Sequence, residues 1–222
     1  MGVVIVAGGN SRRMGNVDKV FAPLLGRPLI AHTVSVFEEC PFIHEIVLVL
    51  GSHNLEQGRT LVVMEGWRKV KNICVGGVER YHSVKAGLQH LSPCDWIMVH
   101  DGARPCVTPE IIESGLESAL ETGAAVPIIG VSDTVKRVEG GLVVDTLNRD
   151  ALRAVQTPQV FRSDVLQKAY KGKVDGVTDD ASLVERLGHR VNTFPGSEEN
   201  IKVTTQVDLR LAEVILKSRV KV

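Results

Sequence analysis

The 222 residues carry no net charge, with 26 Lys and Arg against 26 Asp and Glu. That removes the electrostatic case for duplex nucleic acid as a main partner. A small anionic ligand needs only a local basic cluster, so neutrality does not exclude one. The four cysteines, Cys40, Cys74, Cys94 and Cys106, are widely spaced and form no C-x-x-C pair. Neither a zinc site nor a thioredoxin-type site is indicated. They read as reduced, partly buried residues of a cytosolic chain. No apolar run nears the ~20 residues that span a bilayer, so no membrane partner is expected. The opening run Val3 to Val6 is too short for a secretory signal, and a cytoplasmic location is expected. Internal repeats and low-complexity segments are missing as well. The chain is 44% apolar and 23% charged, which is ordinary for a globular protein. Its length is most simply a single domain over residues 1–222.

Two well-known phosphate loops are also lacking. A P-loop requires G-x-x-x-x-G-K-[ST], but Met14 lies five residues after Gly9, and Lys19 lies beyond Gly15 with no adjacent Ser or Thr. A dinucleotide fingerprint requires G-x-G-x-x-G, but Gly8 and Gly9 are adjacent. What is present is the apolar run Val3 to Val6 feeding Ala7-Gly8-Gly9-Asn10-Ser11-Arg12-Arg13-Met14-Gly15, with Asp18-Lys19 following. The run reads as a buried strand. The glycines let the backbone turn sharply and approach a ligand. Arg12, Arg13 and Lys19 surround that turn with positive charge, an arrangement suited to a polyphosphate. The alternative is a solvent-exposed βα turn with incidental arginines.

Along the rest of the chain, apolar runs alternate with amphipathic stretches. Strands are expected at Glu45 to Leu50, Asn72 to Val75, Trp96 to Val99, Ala124 to Ile129 and Val191 to Phe194. Helices are expected after Pro28, and over Glu79 to Leu91, Pro109 to Glu121, Arg162 to Tyr170, Asp179 to Leu187 and Val207 to Lys217. Thr204 or Thr205 is the candidate cap of the last helix. This alternation implies an α/β fold with a mostly parallel sheet and helices on both faces. Residues 131–150 break the rhythm: they are β-prone, and Gly140-Gly141 marks a hairpin turn. A lone hairpin is only marginally stable, so it should rest on the body or on a partner subunit.

Asp101, in His100-Asp101-Gly102-Ala103-Arg104-Pro105, follows the strand at Trp96 to Val99. An acid at the carboxyl end of a parallel strand faces the crevice where such sheets bind ligands. It could hold Mg²⁺, which prefers carboxylate, water and phosphate oxygens, or it could cap the next turn. His100 is either a base or a packed residue, and packing is favoured because phosphoryl attack needs positioning more than a base. The other six histidines show no metal-ligand spacing. Thr178 to Ser182 reads as an acidic helix start, by capping or by contact. Asn200 to Thr204 carries one lysine, Lys202, before the last helix.

Together these segments resemble the 2-C-methyl-D-erythritol 4-phosphate cytidylyltransferase family. The matching pieces are Ala7 to Met14 with Lys19, Gly76-Gly77 with Glu79-Arg80 and Ser83, His100 to Pro105, Asp133-Thr134 with Lys136-Arg137, Asn148-Arg149, Gln156 to Gln159, Thr178 to Ser182 and Asn200 to Thr204. They run in family order through the chain. Gly8 and Ser11 depart from the family loop A-A-G-x-G-x-R-M, Val78 stands where Asp is frequent, and Gly102 where Ala is usual.

The resemblance implies a three-layer Rossmann-like nucleotidyltransferase fold and an enzyme that transfers CMP from CTP to methylerythritol phosphate with Mg²⁺. It implies that Arg13, Lys19 and Lys202 are catalytic, with Lys19 and Lys202 at the α-phosphate and Arg13 at the β- and γ-phosphates. Ala7, Gly8, Gly9, Gly77, Ser83 and Asp101 would border CTP, Asp101 also serving the metal. Thr134 and Arg149 would grip methylerythritol phosphate from an arm reaching across a homodimer. A ribitol-phosphate cytidylyltransferase, a molybdenum-cofactor guanylyltransferase, which the variant loop resembles, and a non-catalytic nucleotide-binding module remain alternatives.

Overall fold

The computed structural model describes residues 1–9, 19–172 and 176–219. The glycine loop beyond Gly9, with Arg12 and Arg13, lies outside the described residues. The frame is one sheet. β1 (Gly2–Ala7) is followed by a two-residue ladder of β2 (Pro23–Leu24) and β3 (Arg27–Pro28), then by α1 (Leu29–Glu39). β4 (Glu45–Leu50), α2 (Leu55–Glu65), β5 (Val70–Val75), α3 (Arg80–His90), β6 (Trp96–Asp101) and α4 (Pro109–Thr122) complete the first half. β1 lies between β4 and β6, and β5 extends the sheet beyond β4, all in parallel.

The apolar run of β1 is buried on both faces, as a central parallel strand should be. Val3 and Ile5 pack with Ile30, Val34 and Phe37 of α1 and Ile112 of α4. Val4 points the other way, with Val47 and Val49, against Ala86 and Leu88 of α3. Alternate side chains of one strand therefore feed two helical layers. From β1 the chain runs out through β4 and β5 and returns to β6 on the opposite side of β1. This reversal opens a crevice at the carboxyl ends of β1 and β6, where open α/β sheets bind ligands.

The second half departs from pure alternation. β7 (Ala124–Gly130) is separated from β6 by β11 (Gln159–Arg162), which pairs antiparallel with both. β10 (Arg153–Val155) also lies antiparallel on β7, with the register shifted relative to β11 across Gln156, Thr157 and Pro158. β12 (Asn192–Pro195) pairs parallel with β7. The sequence reading names neither β10 nor β11, because they are short and a proline interrupts the run. It also misses α2, where only Gly58 and Leu61 are buried and no apolar stripe is available to read.

α5 (Ser163–Ala169), α6 (Asp180–Glu185) and α7 (Gln206–Arg219) follow the expected order. Thr205 Oγ1 accepts the Asp208 N–H while Asp208 Oδ2 accepts the Thr205 N–H, a reciprocal cap for α7.

The expected hairpin is β8 (Lys136–Glu139) and β9 (Leu142–Thr146). Gly140 and Gly141 have φ of 56° and 82°, the positive values that a tight hairpin turn of this kind requires. Every residue of both strands is exposed. Leu142 is 73% and Val143 62% accessible, so the arm lies on no part of its own chain's core.

Candidate active site

Two glycine turns face each other at the crevice. Gly8 follows β1, and a side chain there would touch the Leu50 carbonyl and Gly76 Cα at 3.4 Å. Gly77 follows β5, and a Cβ would fall 2.2 Å from that of His82. The Gly77 N–H donates to Ser83 Oγ at 3.2 Å, tying this turn to the first turn of α3. Between the turns is a pocket of about 140 Å³, bordered by Ala7, Gly8, Gly9, Gly77 and Ser83, with Lys19, Arg80, Asp101 and Lys202 supplying charge.

Asp101 ends β6, and its side chain is only 8% exposed. Lys202 Nζ lies 2.9 Å from Oδ2, Arg104 Nε 3.4 Å from the same oxygen, and Arg80 Nε 3.2 Å from Oδ1. Burial opposes the anion, but these three cations outweigh it and hold the carboxyl below the usual carboxylate range. Arg80 is governed by the same balance: burial opposes its charge, yet Asp180 and Asp101 hold its pKa above the usual arginine value. Arg104, whose Nη1 donates to the Asn200 carbonyl at 2.8 Å, has its pKa lowered, chiefly by burial. The capping alternative for Asp101 gives way to an ion cluster at the pocket wall.

His100 is wholly buried, tilted against the Phe37 ring at 4.9 Å. Burial pushes its pKa down to about 3. Its Nδ1 lies 3.1 Å from Thr157 Oγ1, which accepts the Asp101 N–H at 3.1 Å. A Thr157 hydroxyl proton on Nδ1 leaves the imidazole proton on Nε2, facing the Arg104 carbonyl at 3.4 Å. A neutral, enclosed imidazole of this kind packs and orients; it does not reach substrate.

The structure thus gathers Ala7, Gly8, Gly9, Lys19, Gly77, Ser83, Asp101 and Lys202 at one pocket. Arg13 lies outside the described residues. Thr134 and Arg149 are not at this pocket: both are exposed at the arm, and Arg149 Nη1 donates to the Ser132 carbonyl at 2.7 Å. Sequence reasoning assigned no role to Arg80 or Arg104 and read Asp180 only as part of an acidic helix start, by capping or by contact: Asp179 makes the cap, its Oδ1 accepting the Ser182 N–H at 3.2 Å, and Asp180 makes a contact, to Arg80. The available signal for Arg80, Arg104 and Asp180 was their place within the Glu79-Arg80, His100 to Pro105 and Thr178 to Ser182 segments.

Among the described residues no cluster of three or more His, Cys, Asp or Glu side chains could cage a metal ion. Two carboxylates line the pocket, Glu79 and Asp101, the latter already facing Arg80, Arg104 and Lys202. Mg²⁺ takes one or two carboxylates and fills its shell with phosphate and water, so Asp101 could meet it as one ligand beside a bound triphosphate. No described helix is long and apolar enough to cross a membrane.

Glycine turns at a topological switch point, two lysines on one pocket and a carboxylate suited to a phosphate-bound cation are the equipment of a nucleotidyltransferase acting on a nucleoside triphosphate. The sequence profile of the family IspD, 2-C-methyl-D-erythritol 4-phosphate cytidylyltransferase, matches residues 1–218. The chain belongs to that family. It is 50% identical over 218 residues to the 2-C-methyl-D-erythritol 4-phosphate cytidylyltransferase of Dehalococcoides mccartyi, covering 98% of this chain and 96% of the relative. It resembles the crystal structure of 4-diphosphocytidyl-2C-methyl-D-erythritol synthase from Anaerococcus prevotii with a TM-score of 0.84, at 26% identity, over 97% and 95% of the two chains. The Thermus thermophilus 2-C-methyl-D-erythritol 4-phosphate cytidylyltransferase is 30% identical, with a TM-score of 0.76 over 96% and 98%.

Proposed function

We propose that this chain transfers CMP from CTP to 2-C-methyl-D-erythritol 4-phosphate, releasing pyrophosphate. An oxygen of the acceptor phosphate attacks the α-phosphorus in line, and the bond to the pyrophosphate oxygen breaks. The observation that carries this reading is the meeting of Lys19 and Lys202 with the Gly8-Gly9 turn on one pocket. The reaction needs little covalent help from the protein; it needs fixed positive charge where negative charge builds up. Lys19 and Lys202 supply compact charge to the α-phosphoryl group, and Arg13 is assigned to the β- and γ-phosphates. Ala7, Gly8, Gly9, Gly77 and Ser83 border the cytidine. Asp101 would hold Mg²⁺, which when bound neutralises charge on the triphosphate.

Thr134 and Arg149 are assigned to the acceptor in the site of a second copy. Support comes from the arm itself: its apolar residues are exposed and its polar residues lie off the chain's own pocket. The working unit is then a homodimer in which residues 131–150 serve the neighbour. The cysteines are unpaired, as in a cytoplasmic enzyme drawing on a pool of free CTP.

Pyrophosphate release measured with CTP and GTP against methylerythritol phosphate and ribitol 5-phosphate tests the reading. Turnover is expected with CTP and methylerythritol phosphate. Preference for GTP or for the ribitol acceptor would move the chain's activity to a related pyrophosphorylase.

A further inference from the structure

Behind the pocket wall lies a second buried carboxylate for which the reaction has no direct use. Asp180, in the first turn of α6, has no exposed surface. Its Oδ1 accepts from the Tyr170 hydroxyl at 2.5 Å. Its backbone N–H and that of Ala181 donate to Gln159 Oε1 at 3.2 and 3.1 Å. Gln159 Nε2 in turn donates to Asp179 Oδ2 at 2.8 Å. Asp180 is therefore fixed from both its backbone and its side chain. Its remaining oxygen, Oδ2, lies 2.8 Å from Arg80 Nη2. Both atoms are buried, and the contact is made off the hydrogen-bonding direction, so it is an ion pair above all.

Arg80 thus divides its guanidinium between two carboxylates. Nε goes to Asp101, at the pocket, and Nη2 goes to Asp180, behind it. The ordinary preference of this group is otherwise: a guanidinium edge closes on one carboxylate with two parallel hydrogen bonds. Closing on Asp101 would take both of its oxygens, including the Oδ2 that now faces Lys202 at 2.9 Å. Lys202 is the most exposed of the three cations on Asp101, with 39% of its side chain accessible against 24% for Arg80 and 11% for Arg104. Arg104 is also tethered to the Asn200 carbonyl. Lys202 is the partner that a closing fork would displace.

We infer that Asp180 is a positioning residue: by holding one arm of Arg80 it restricts Arg80 to a single-nitrogen contact with Asp101 Oδ1 and leaves Oδ2 to Lys202 and the tethered Arg104. Lys202 then stands at the pocket wall, ready for the phosphate. The activity side of this inference rests on the proposed role of Lys202 at the α-phosphate; the structural side does not. Tyr170 serves as a control, because its hydroxyl bonds the same carboxylate without supplying charge to Arg80.

The test has two readouts. The first is the rate at which Lys202 is acylated by an amine-reactive ester at fixed pH, followed by mass spectrometry without substrate. Asp180→Asn is expected to raise that rate several-fold, since the freed fork displaces Lys202 from Asp101. Arg80→Gln/Asp180→Asn together should return it to the wild-type rate, since no fork remains to close. This pair also removes both buried charges at once, which is better tolerated than stranding one, and so provides a folded variant should the single one fail to fold. The second readout is kinetic. Asp180→Asn should lower kcat about tenfold with KM for CTP moving less than about twofold, because the lysine acts on the group in transit. In a Lys202→Ala background the same change should cost nothing further. Tyr170→Phe should leave both readouts near wild type.

Unchanged Lys202 labelling in Asp180→Asn, or labelling still raised in the double variant, would overturn the inference. So would Tyr170→Phe matching Asp180→Asn in both readouts, which would make Asp180 a packing residue alone. Failure of the functional reading would look different: wild-type protein would release no pyrophosphate from CTP and methylerythritol phosphate, while the labelling pattern would still decide the role of Asp180.

Discussion

The pocket at the ends of β1 and β6 and the hairpin arm hold their charged and apolar groups in opposite ways. At the pocket, Asp101, Arg80, Arg104 and Asp180 are buried or nearly so, and each is fixed by a partner from a distant segment. On the arm, Lys136 reaches Thr146 and Arg137 reaches Glu139, contacts made within the hairpin, at the surface. The pocket is over-determined by one chain, whereas the arm is determined by its own turn and little else. A buried charge without its partner is strongly destabilising, but a surface pair contributes almost nothing to stability. The difference therefore separates residues that fold the protein from residues that are free to serve another copy of it.

The largest effect expected from breaking this contrast is catalytic. Lys19→Ala should lower kcat by ~10²–10³, the usual loss when one well-placed charge contact to the transition state is removed, with a smaller change in KM for CTP. Steady-state pyrophosphate release checks it, and normal kcat with a raised KM would make Lys19 a binding residue only.

Next comes stability at the ion cluster. Asp101→Asn strands three cations on a buried amide and should lower unfolding free energy by about 3 kcal/mol in denaturant melts. A loss below about 0.5 kcal/mol, the range of an ordinary surface change, would mean that the cluster is as loosely held as the arm.

His100 sharpens the contrast through pH. Its folded pKa, about 3, lies below its ordinary value, so between about pH 6.5 and 3 the unfolded chain binds a proton that the folded chain refuses. Stability tied to this residue is full above that window and declines as pH falls through it. At pH 5 the protein should be about 2 kcal/mol less stable than at pH 7 on this account, and His100→Gln should flatten the decline. The smallest effect belongs to the arm: Leu142→Ser should shift monomer stability by less than about 0.5 kcal/mol, because that side chain is already exposed.

Legibility in the sequence followed the same division. The central strands were readable because burial on both faces demands unbroken apolar runs, as in Val3 to Val6 and Ile46 to Leu50. The arm was readable because Gly140-Gly141 meets a backbone requirement that few residues satisfy. β11 was not, since Pro158 interrupts the chain just before it and only Val160 and Phe161 are apolar within Gln159–Arg162. At the site, Gly8 and Asp101 announced themselves by position at strand ends, whereas Gly77 and Ser83 entered only through the family resemblance. Lys202 did not announce itself, because one lysine in a short segment has no local signal. Nor did the Arg80 to Asp180 pair, whose members are separated by 100 positions and meet only through the packing of α3 and α6 onto the sheet.

The central claim is that one chain builds the triphosphate pocket and a second copy's arm completes it. Subunit exchange between Lys19→Ala and Arg149→Ala dimers tests this most directly. In a mixed dimer, one site carries both lesions and the other carries neither. Random mixing of equal amounts makes about half the dimers mixed, so roughly a quarter of all sites should recover wild-type composition and activity. Activity remaining at the average of the two parents, with exchange confirmed by mass spectrometry of the intact dimers, would mean that Lys19 and Arg149 serve the same chain and would contradict the account.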